Sequence, residues 1–377
     1  MADIFDYITW RGDLTFEQDG VNCVDALIFS QMAYFPMDRL WGMEEDGIIT
    51  IRQVQERLQE KLNQGEHVEF HMEKDEKLFH AMASSRRFGE LALSGFVNII
   101  DAEEEKQFAA VTVHLSESLF LLFRGTDCTF VGWNEDLNMS FSTPVPAQVE
   151  AVNYFEKTAE RFTGKIRLGG HSKGGNLAVY AALFCRDSLR SRIAGVYNND
   201  GPGFDGNVVT RDMFTRLDGR LHTFVPQSSV VGMLLDHEEE YTVVHSRQIG
   251  IMQHDLYSWD VKGPDFIRLE SVTEGSRLVD QTLKSWLGKL SPQQRHQVIE
   301  AVFDVFYSTE AETFRQLADD PLKHSGRLLK SVRDTDTETR KLLWEAFSLL
   351  LQSLQKNLTK NLTDQIRLPD FLQENMK

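Results

Sequence analysis

Apolar and polar residues follow two different periods along this chain, one typical of helices and one typical of strands. In "DALIFSQMAY" (25–34) the apolar positions recur at helical spacing, and Asp25 is expected to cap the start of that helix. From Gly95 onward, "GFVNII", "FAAVTVHL" and "LFLLFRGTD" have the apolar content of neighbouring strands. The short turn "SES" between the last two predicts an antiparallel hairpin.

Beyond this hairpin, helices and strands are predicted to alternate. The amphipathic segment "PAQVEAVNYFEKTAERFTG" leads into the strand "KIRLGG", which is followed by the helix "NLAVYAALFCRDSL". Further strands are expected in "RIAGVYNND", "RLHTFVPQ" and "EYTVVHS". Because such alternation is typical of a mostly parallel sheet covered on both faces, the fold class predicted is α/β, with an N-terminal antiparallel hairpin and added helices.

Two segments do not follow this alternation. Residues 44–90 are charged and helical in composition, and are predicted as a helical insertion. After about residue 275 the chain consists of charged amphipathic helices. We therefore expect an α/β domain over 1–275 and a helical C-terminal extension over 276–377, which packs on the domain or provides the surface of a homo-oligomer.

Composition and charge narrow the classes of function. The chain has 377 residues, of which 41% are hydrophobic, and its formal net charge of −17 disfavours binding to nucleic acid or to anionic membranes. It has no apolar run long enough for a transmembrane helix, and its start does not resemble a signal peptide. Cys23, Cys128 and Cys185 are odd in number and far apart, which favours neither disulfides nor a zinc site. A cytoplasmic protein without metal or cofactor is expected.

The strongest chemical signal is the glycine-rich corner Gly170-His171-Ser172-Lys173-Gly174, placed between a predicted strand and a predicted helix. It fits G-x-S-x-G, in which a sharp turn presents the serine at a helix N-terminus and side chains two residues away on either side would collide. Ser172 is therefore the candidate nucleophile, and the N–H of Lys173 is a candidate oxyanion donor. The Lys173 side chain is expected to be solvated.

Several motifs together resemble those of a known family. "FRGTD", "WNEDL" and "GGHSKGGNLA" look like the successive signatures of class 3 lipases in the α/β-hydrolase superfamily. With "NNDGPGF", "FVPQSSVVGMLL" and "QHDLYSW", the chain resembles a bacterial branch of that superfamily over roughly residues 20–265. The resemblance implies that the backbone N–H of Thr126 is the second oxyanion donor, and that residues 127–144 match the lipase lid.

The resemblance also implies the order serine, acid, histidine for the catalytic residues. His254, in the loop-like segment "GIMQHDLYSW", is the preferred base, since a loop position lets the ring approach the serine. The other histidines that follow Ser172 are His222, His237, His245 and His296. His222 and His245 fit strands and His296 fits a polar helix face, so a structural role is more common for these three.

The acid is where the sequence departs from the class 3 lipases. They usually carry an aspartate after the strand matched by "HTFVP", whereas this chain reads Ser229-Val230-Val231. Three alternatives remain open. Asp200, at the end of the preceding strand, is favoured; Asp236 could fold back from the expected loop; or Ser229 and backbone carbonyls could orient the histidine in a dyad.

These residues together predict a serine hydrolase that cleaves acyl esters through a covalent acyl-enzyme. The substrate expected is a small acyl ester, a thioester or a lipid-like ester. Two other interpretations remain: a binding scaffold that keeps the fold without the activity, and a serine peptidase or acyltransferase that uses the same residues.

Overall fold

A computed structural model of the chain describes residues 1–41, 47–127, 129–139, 143–217 and 219–273, and the single residues 276, 294 and 341. Apart from those three residues, the predicted C-terminal extension lies outside the described residues, and so does His296. Cys128 and part of the segment matched to the lid, 140–142, also lie outside them.

The strands form one large sheet and a separate small ribbon. Their bounds are β1 (Ile49–Thr50), β2 (Ala92–Asp101), β3 (Lys106–Leu115), β4 (Ser118–Phe123), β5 (Lys165–His171), β6 (Ile193–Asn199), β7 (Leu221–Pro226), β8 (Tyr241–Val244), β9 (Val261–Lys262), β10 (Asp265–Phe266) and β11 (Arg268–Leu269).

The order of strands in the large sheet is β1-β2-β3-β4-β5-β6-β7-β8-β11, and its centre is parallel. Strands β4 to β8 pair in parallel along the chain, with Phe123 opposite Gly170 and His171 opposite Asn199. The pairs on either side, β1 to β4 and β8 with β11, are antiparallel. The predicted mostly parallel sheet of an α/β fold is therefore confirmed for the centre of the sheet.

The helices are α1 (Ile4–Arg11), α2 (Cys23–Met32), α3 (Met37–Leu40), α4 (Ile51–Asn63), α5 (Asp75–Ser84), α6 (Phe130–Asn138), α7 (Pro146–Arg161), α8 (Lys173–Phe184), α9 (Asp187–Arg190) and α10 (Arg211–Phe214). Short 3₁₀ turns span Thr215–Leu217, Val231–Met233, Gly250–His254 and Leu256–Ser258. In the described part of the chain, each helix is too short or too polar to span a bilayer.

Helices cover both faces of the sheet. Along β4, Phe120 and Leu122 pack in a core with α1, α2, α4 and α5, while Leu121 and Phe123 pack in a second core with α7 and α8. Because both faces are buried, β4 is a continuous apolar run and not an alternating one. The charged segment 44–90 contributes α4 and α5 to the first of these cores.

One helix start differs from the prediction. Helix α2 begins at Cys23, and Asn22 is its N-cap, whose side chain accepts from the N–H groups of Val24 and Asp25. The prediction of Asp25 as the N-cap is therefore wrong. Asp25 is the third residue of the helix, where its carboxylate bonds back to the N–H of Asn22 and forms a buried ion pair with Arg87 at 2.6 Å.

Candidate active site

The serine corner has the backbone of a strained strand-to-helix turn. Strand β5 ends at His171, α8 begins at Lys173, and Ser172 between them has φ 57° and ψ −133°. A Cβ on Gly170 would lie 2.3 Å from the carbonyl carbon of Gly174, and a Cβ on Gly174 would lie 2.1 Å from the carbonyl oxygen of Phe123. The two glycines are therefore needed for this corner to form.

A histidine and a carboxylate meet beside this corner. Nδ1 of His254 lies 2.6 Å from Oδ2 of Asp200, whose side chain is 1% exposed, whereas the ring of His254 is 25% exposed. Asp200 directly follows β6 and has a φ of 52°, and its N–H donates to the carbonyl of Phe224 at 2.8 Å. The ring of His254 lies 4.2 Å, centroid to centroid, from the ring of His171, which precedes Ser172.

Ser229, which the resemblance to class 3 lipases matched to their aspartate, contacts the carboxylate of Asp200. Its Oγ donates to Oδ1 of Asp200 at 2.5 Å and accepts from the N–H of Gly232 at 3.0 Å. The two oxygens of Asp200 therefore have different partners, the serine hydroxyl and the imidazole of His254. This arrangement fixes the orientation of the carboxylate.

Asp236, the second candidate acid, lies in a different set of contacts. Its backbone pairs with that of Phe204 through two hydrogen bonds of 3.0 Å. Its Oδ2 is 3.3 Å from the point that a Cβ on Gly206 would occupy. Of the two aspartates, Asp200 is the one hydrogen-bonded to His254.

The other histidines considered from the sequence have partners elsewhere. His222 stacks on Tyr197 in the sheet, with ring centroids 5.1 Å apart. Nδ1 of His237 lies 3.0 Å from Glu239, and Nδ1 of His245 lies 2.6 Å from Asp260. A histidine–carboxylate contact is thus not unique to His254, and it is the position beside the serine corner that distinguishes it.

The segment after β4 passes directly against Ser172. A Cβ on Gly125 would lie 3.2 Å from Cβ of Ser172, and the next residue is Thr126. The hydroxyl of Thr126 donates to the carboxylate of Asp136 on α6. Burial raises the pKa of Asp136 to about 6, against the opposing effects of the Lys173 ammonium and the Thr126 hydroxyl.

The Lys173 side chain is 1% exposed, so the expectation that it is solvated is wrong. Its ammonium donates to Oε2 of Glu135 at 3.0 Å, and to the side-chain and main-chain oxygens of Gln107 at 2.7 and 3.1 Å. Glu135 is itself fully buried and accepts from the N–H groups of Gln107 and Ala147. The physical reason is that a buried ammonium needs a complete set of acceptors, which α6 and β3 supply.

These contacts attach α6 to the sheet. Glu135 and Asp136, which are consecutive on α6, contact respectively the buried Lys173 and the hydroxyl of Thr126. Helix α6 lies in the segment matched to the lipase lid, so opening of this segment would break a buried ion pair. Such a break costs about 3 to 5 kcal/mol, because it leaves an uncompensated buried charge.

Two residues close to the corner were absent from the sequence candidates. Tyr34, just after α2, has its hydroxyl 3.3 Å from Nδ1 of His171, and its ring stacks on His71 at 4.8 Å. Burial lowers the pKa of His71, and that of His171 lies well below its ordinary value of 6.5 through burial and the neighbouring His254. The only sequence signal was that Tyr34 ends the segment "DALIFSQMAY"; nothing in the spacing marked His71.

Comparison with known proteins places the chain in a family. The model of the Mbeg1-like family matches residues 82–304, well over half of the chain. The crystal structure of a mutant form of MDLA from Penicillium cyclopium matches with a TM-score of 0.39 and 11% identity, covering 64% of this chain and 83% of that one. Lip2 lipase from Yarrowia lipolytica matches with a TM-score of 0.32 and 14% identity, covering 51% and 76%.

No match to a curated protein is found. The family match spans the segments that carry the serine corner, the residues after β4, Asp200 and His254. The chain belongs to the Mbeg1-like family.

Proposed function

We propose that this protein is a serine hydrolase that cleaves acyl esters, with Ser172 as nucleophile, His254 as base and Asp200 as acid. The observation that carries the proposal is the 2.6 Å contact between His254 and Asp200 beside the strained serine corner. An orienting carboxylate on one ring nitrogen leaves the other nitrogen available for the serine proton. Ser229 supports this arrangement by holding the second oxygen of Asp200.

In the proposed mechanism, Nε2 of His254 takes the hydroxyl proton as Ser172 Oγ attacks the acyl carbonyl carbon. The imidazolium is stabilised by Asp200, to which its Nδ1–H donates, and then gives the proton to the leaving alcohol. The N–H groups of Thr126 and Lys173 hold the oxyanion. Water, activated by the same histidine, releases the acyl group from Ser172 and restores the hydroxyl.

The substrates we propose are small acyl esters, thioesters or lipid-like esters, since the mechanism acts on an acyl carbonyl and does not depend on the alcohol or thiol that leaves. No cofactor or metal has a part in it. We also propose a cytoplasmic location, because the thiols of Cys23 and Cys185 are free and suit a reducing compartment.

The test is labelling of the purified protein with a fluorophosphonate, followed by location of the adduct by mass spectrometry and by rates on short p-nitrophenyl esters. We expect one adduct on Ser172, and Ser172→Ala should lose the adduct and at least a thousandfold in ester turnover, since the nucleophile is removed.

Ser191→Ala is the matched control, because this exposed serine lies after α9, where its hydroxyl donates to the carbonyl oxygen of Ser188 at 3.2 Å. It should label and turn over like the wild type. A folded wild type that takes no adduct would favour the binding scaffold, and an adduct without ester turnover would favour a peptidase or acyltransferase.

A further inference from the structure

The hydroxyl of Tyr34 lies at the meeting point of segments that the proposed mechanism needs. It is 3.3 Å from Nδ1 and 3.4 Å from the carbonyl oxygen of His171, the residue before Ser172. It also lies against the backbone of Gly125, the residue before Thr126. A Cβ on Gly125 would lie 2.0 Å from this hydroxyl, so the approach is as close as a glycine permits.

His171 extends this contact to the base. Its Nε2 lies 3.0 Å from the carbonyl oxygen of His254, and a carbonyl oxygen can only accept. Nε2 must therefore carry the proton, which leaves Nδ1 of the neutral ring as an acceptor for the hydroxyl of Tyr34. Burial and the neighbouring His254 hold the pKa of His171 well below 6.5, so the ring stays neutral. Nδ1 then shares the single hydroxyl proton of Tyr34 with the carbonyl oxygen of His171.

We propose that Tyr34 and His171 are positioning residues for the base: the Tyr34 hydroxyl favours the Nε2–H tautomer of His171 by donating to Nδ1, and His171 then holds the backbone of His254 against the serine corner. This proposal rests on the proposed function, because it assigns the two residues a role in that reaction. Neither residue touches the reacting atoms in it.

The alternative is that Tyr34 only fills space in the core. It is buried, and its ring stacks on His71, so its aromatic ring contributes to packing in any case. The hydroxyl is what separates the two interpretations. Tyr34→Phe removes that oxygen alone and keeps the ring, so packing is retained while Nδ1 of His171 loses its donor.

The matched control is Tyr154→Phe. The hydroxyl of Tyr154 is also hydrogen-bonded, to Thr112 at 2.8 Å and to the carbonyl of Gly95 at 2.9 Å. Tyr154 lies on α7, which packs on the opposite face of the sheet from α2. The two variants therefore make the same chemical change, one beside the serine corner and one away from it.

The experiment compares wild type, Tyr34→Phe and Tyr154→Phe by kcat and KM on p-nitrophenyl butyrate, by the rate of fluorophosphonate labelling and by thermal unfolding. In Tyr34→Phe we expect kcat and the labelling rate to fall about tenfold while KM changes less than about twofold, because the base and not the substrate is displaced. Tyr154→Phe should retain wild-type rates.

A second readout follows the tautomer directly. In the ¹⁵N imidazole spectrum of histidine-labelled protein, His171 should carry its proton on Nε2 in the wild type and should populate the Nδ1–H form in Tyr34→Phe. If Tyr34→Phe does not fold, His171→Gln and His171→Leu replace it. Glutamine can still donate to the carbonyl of His254 and should retain more kcat than leucine.

The outcomes separate this proposal from the one on which it rests. The positioning role alone would be overturned if the wild type is labelled and Tyr34→Phe has the same kcat and labelling rate. Equal kcat in His171→Gln and His171→Leu would overturn it as well. A wild type that takes no adduct would overturn the proposed function, and the positioning role with it. An equal fall in kcat in Tyr34→Phe and Tyr154→Phe would also overturn the role, since it would show a general effect of losing a buried hydroxyl.

Discussion

At the scale of single residues, the proposed acid comes from the strand beside the one at which the resemblance to class 3 lipases places it. Asp200 follows β6, whereas Ser229, matched by that resemblance to the lipase aspartate, follows β7. A serine hydroxyl cannot stabilise an imidazolium as a carboxylate does. A serine hydroxyl can, however, donate a hydrogen bond to a carboxylate, and Ser229 Oγ does so to Asp200 at 2.5 Å.

This arrangement predicts a ranking of variants. Asp200→Asn should lower kcat on p-nitrophenyl esters by at least a hundredfold, because His254 loses the charge that stabilises its protonated form. Asp236→Asn should change kcat less than about threefold, since Asp200 already accepts from Nδ1 of His254. Steady-state kinetics of the two purified variants provide the measurement, and the reverse ranking would transfer the role of acid to Asp236.

The sequence favoured Asp200 over Asp236 only weakly, for a physical reason. Both aspartates follow a buried strand, and sequence spacing does not tell how a loop folds back. Ser172 was easier to identify, because steric exclusion at the two flanking glycines leaves a direct mark on the sequence. The contacts of Tyr34 leave no such mark, since they join residues 34 and 171 across the fold.

At the scale of elements, α6 is joined to the serine corner by the ion pair of Lys173 and Glu135. Both side chains are almost fully buried, at 1% and 0% exposure. The pair connects the first residue of α8 to α6, the helix that follows Thr126. We infer that α6 forms a fixed wall of the site, because its movement would separate two buried charges.

Glu135→Gln should therefore lower the free energy of unfolding by about 3 kcal/mol, since the buried Lys173 ammonium loses its carboxylate at 3.0 Å and keeps only that of Asp136 at 3.6 Å. Lys173→Met combined with Glu135→Leu should recover part of that loss, because the uncompensated ammonium is removed, while Asp136 loses the cation 3.6 Å from its carboxylate. Urea denaturation followed by circular dichroism measures both.

Glu104→Gln serves as the control for that prediction. Its partner Lys106 lies at 2.7 Å, but Glu104 is 61% exposed, so its loss should cost less than about 1 kcal/mol. Equal losses for Glu135→Gln and Glu104→Gln would show that the buried pair does not anchor α6.

The helices and strands could be predicted better from the sequence than the contacts between them. Strand β4 and helix α8 follow from periodicity, because both are long apolar segments with recognisable ends. The predicted start of α2 was wrong, since Asn22 and Asp25 are both good N-cap residues and the choice between them depends on where Arg87 lies in the fold. The burial of Lys173 could not be predicted, because its acceptors come from β3 and α6.

At the scale of the whole molecule, buried neutral histidines connect the site to the pH dependence of stability. Burial lowers the pKa of His71, and that of His171 is well below 6.5. In the unfolded chain both residues regain an ordinary pKa near 6.5. As the pH falls below that value, the unfolded chain binds protons that the folded chain does not, so the free energy of unfolding decreases.

For His171 alone this linkage has a slope of up to about 1.4 kcal/mol per pH unit below pH 6.5, continuing down to its folded pKa. Replacing it by glutamine removes the titrating group, so the difference in unfolding free energy between His171→Gln and wild type should move in favour of the variant as the pH falls from 6.5 to 5. Above pH 7.5 the difference should be constant, because the histidine is then neutral in both states.

Urea denaturation at intervals of half a pH unit gives this difference, in which the carboxylates common to both proteins largely cancel. A difference for His171→Gln that stays flat between pH 5 and 6.5 would mean that His171 takes up a proton in the folded chain. Its Nδ1 could then no longer accept from Tyr34, and the orientation inferred for the ring would be wrong.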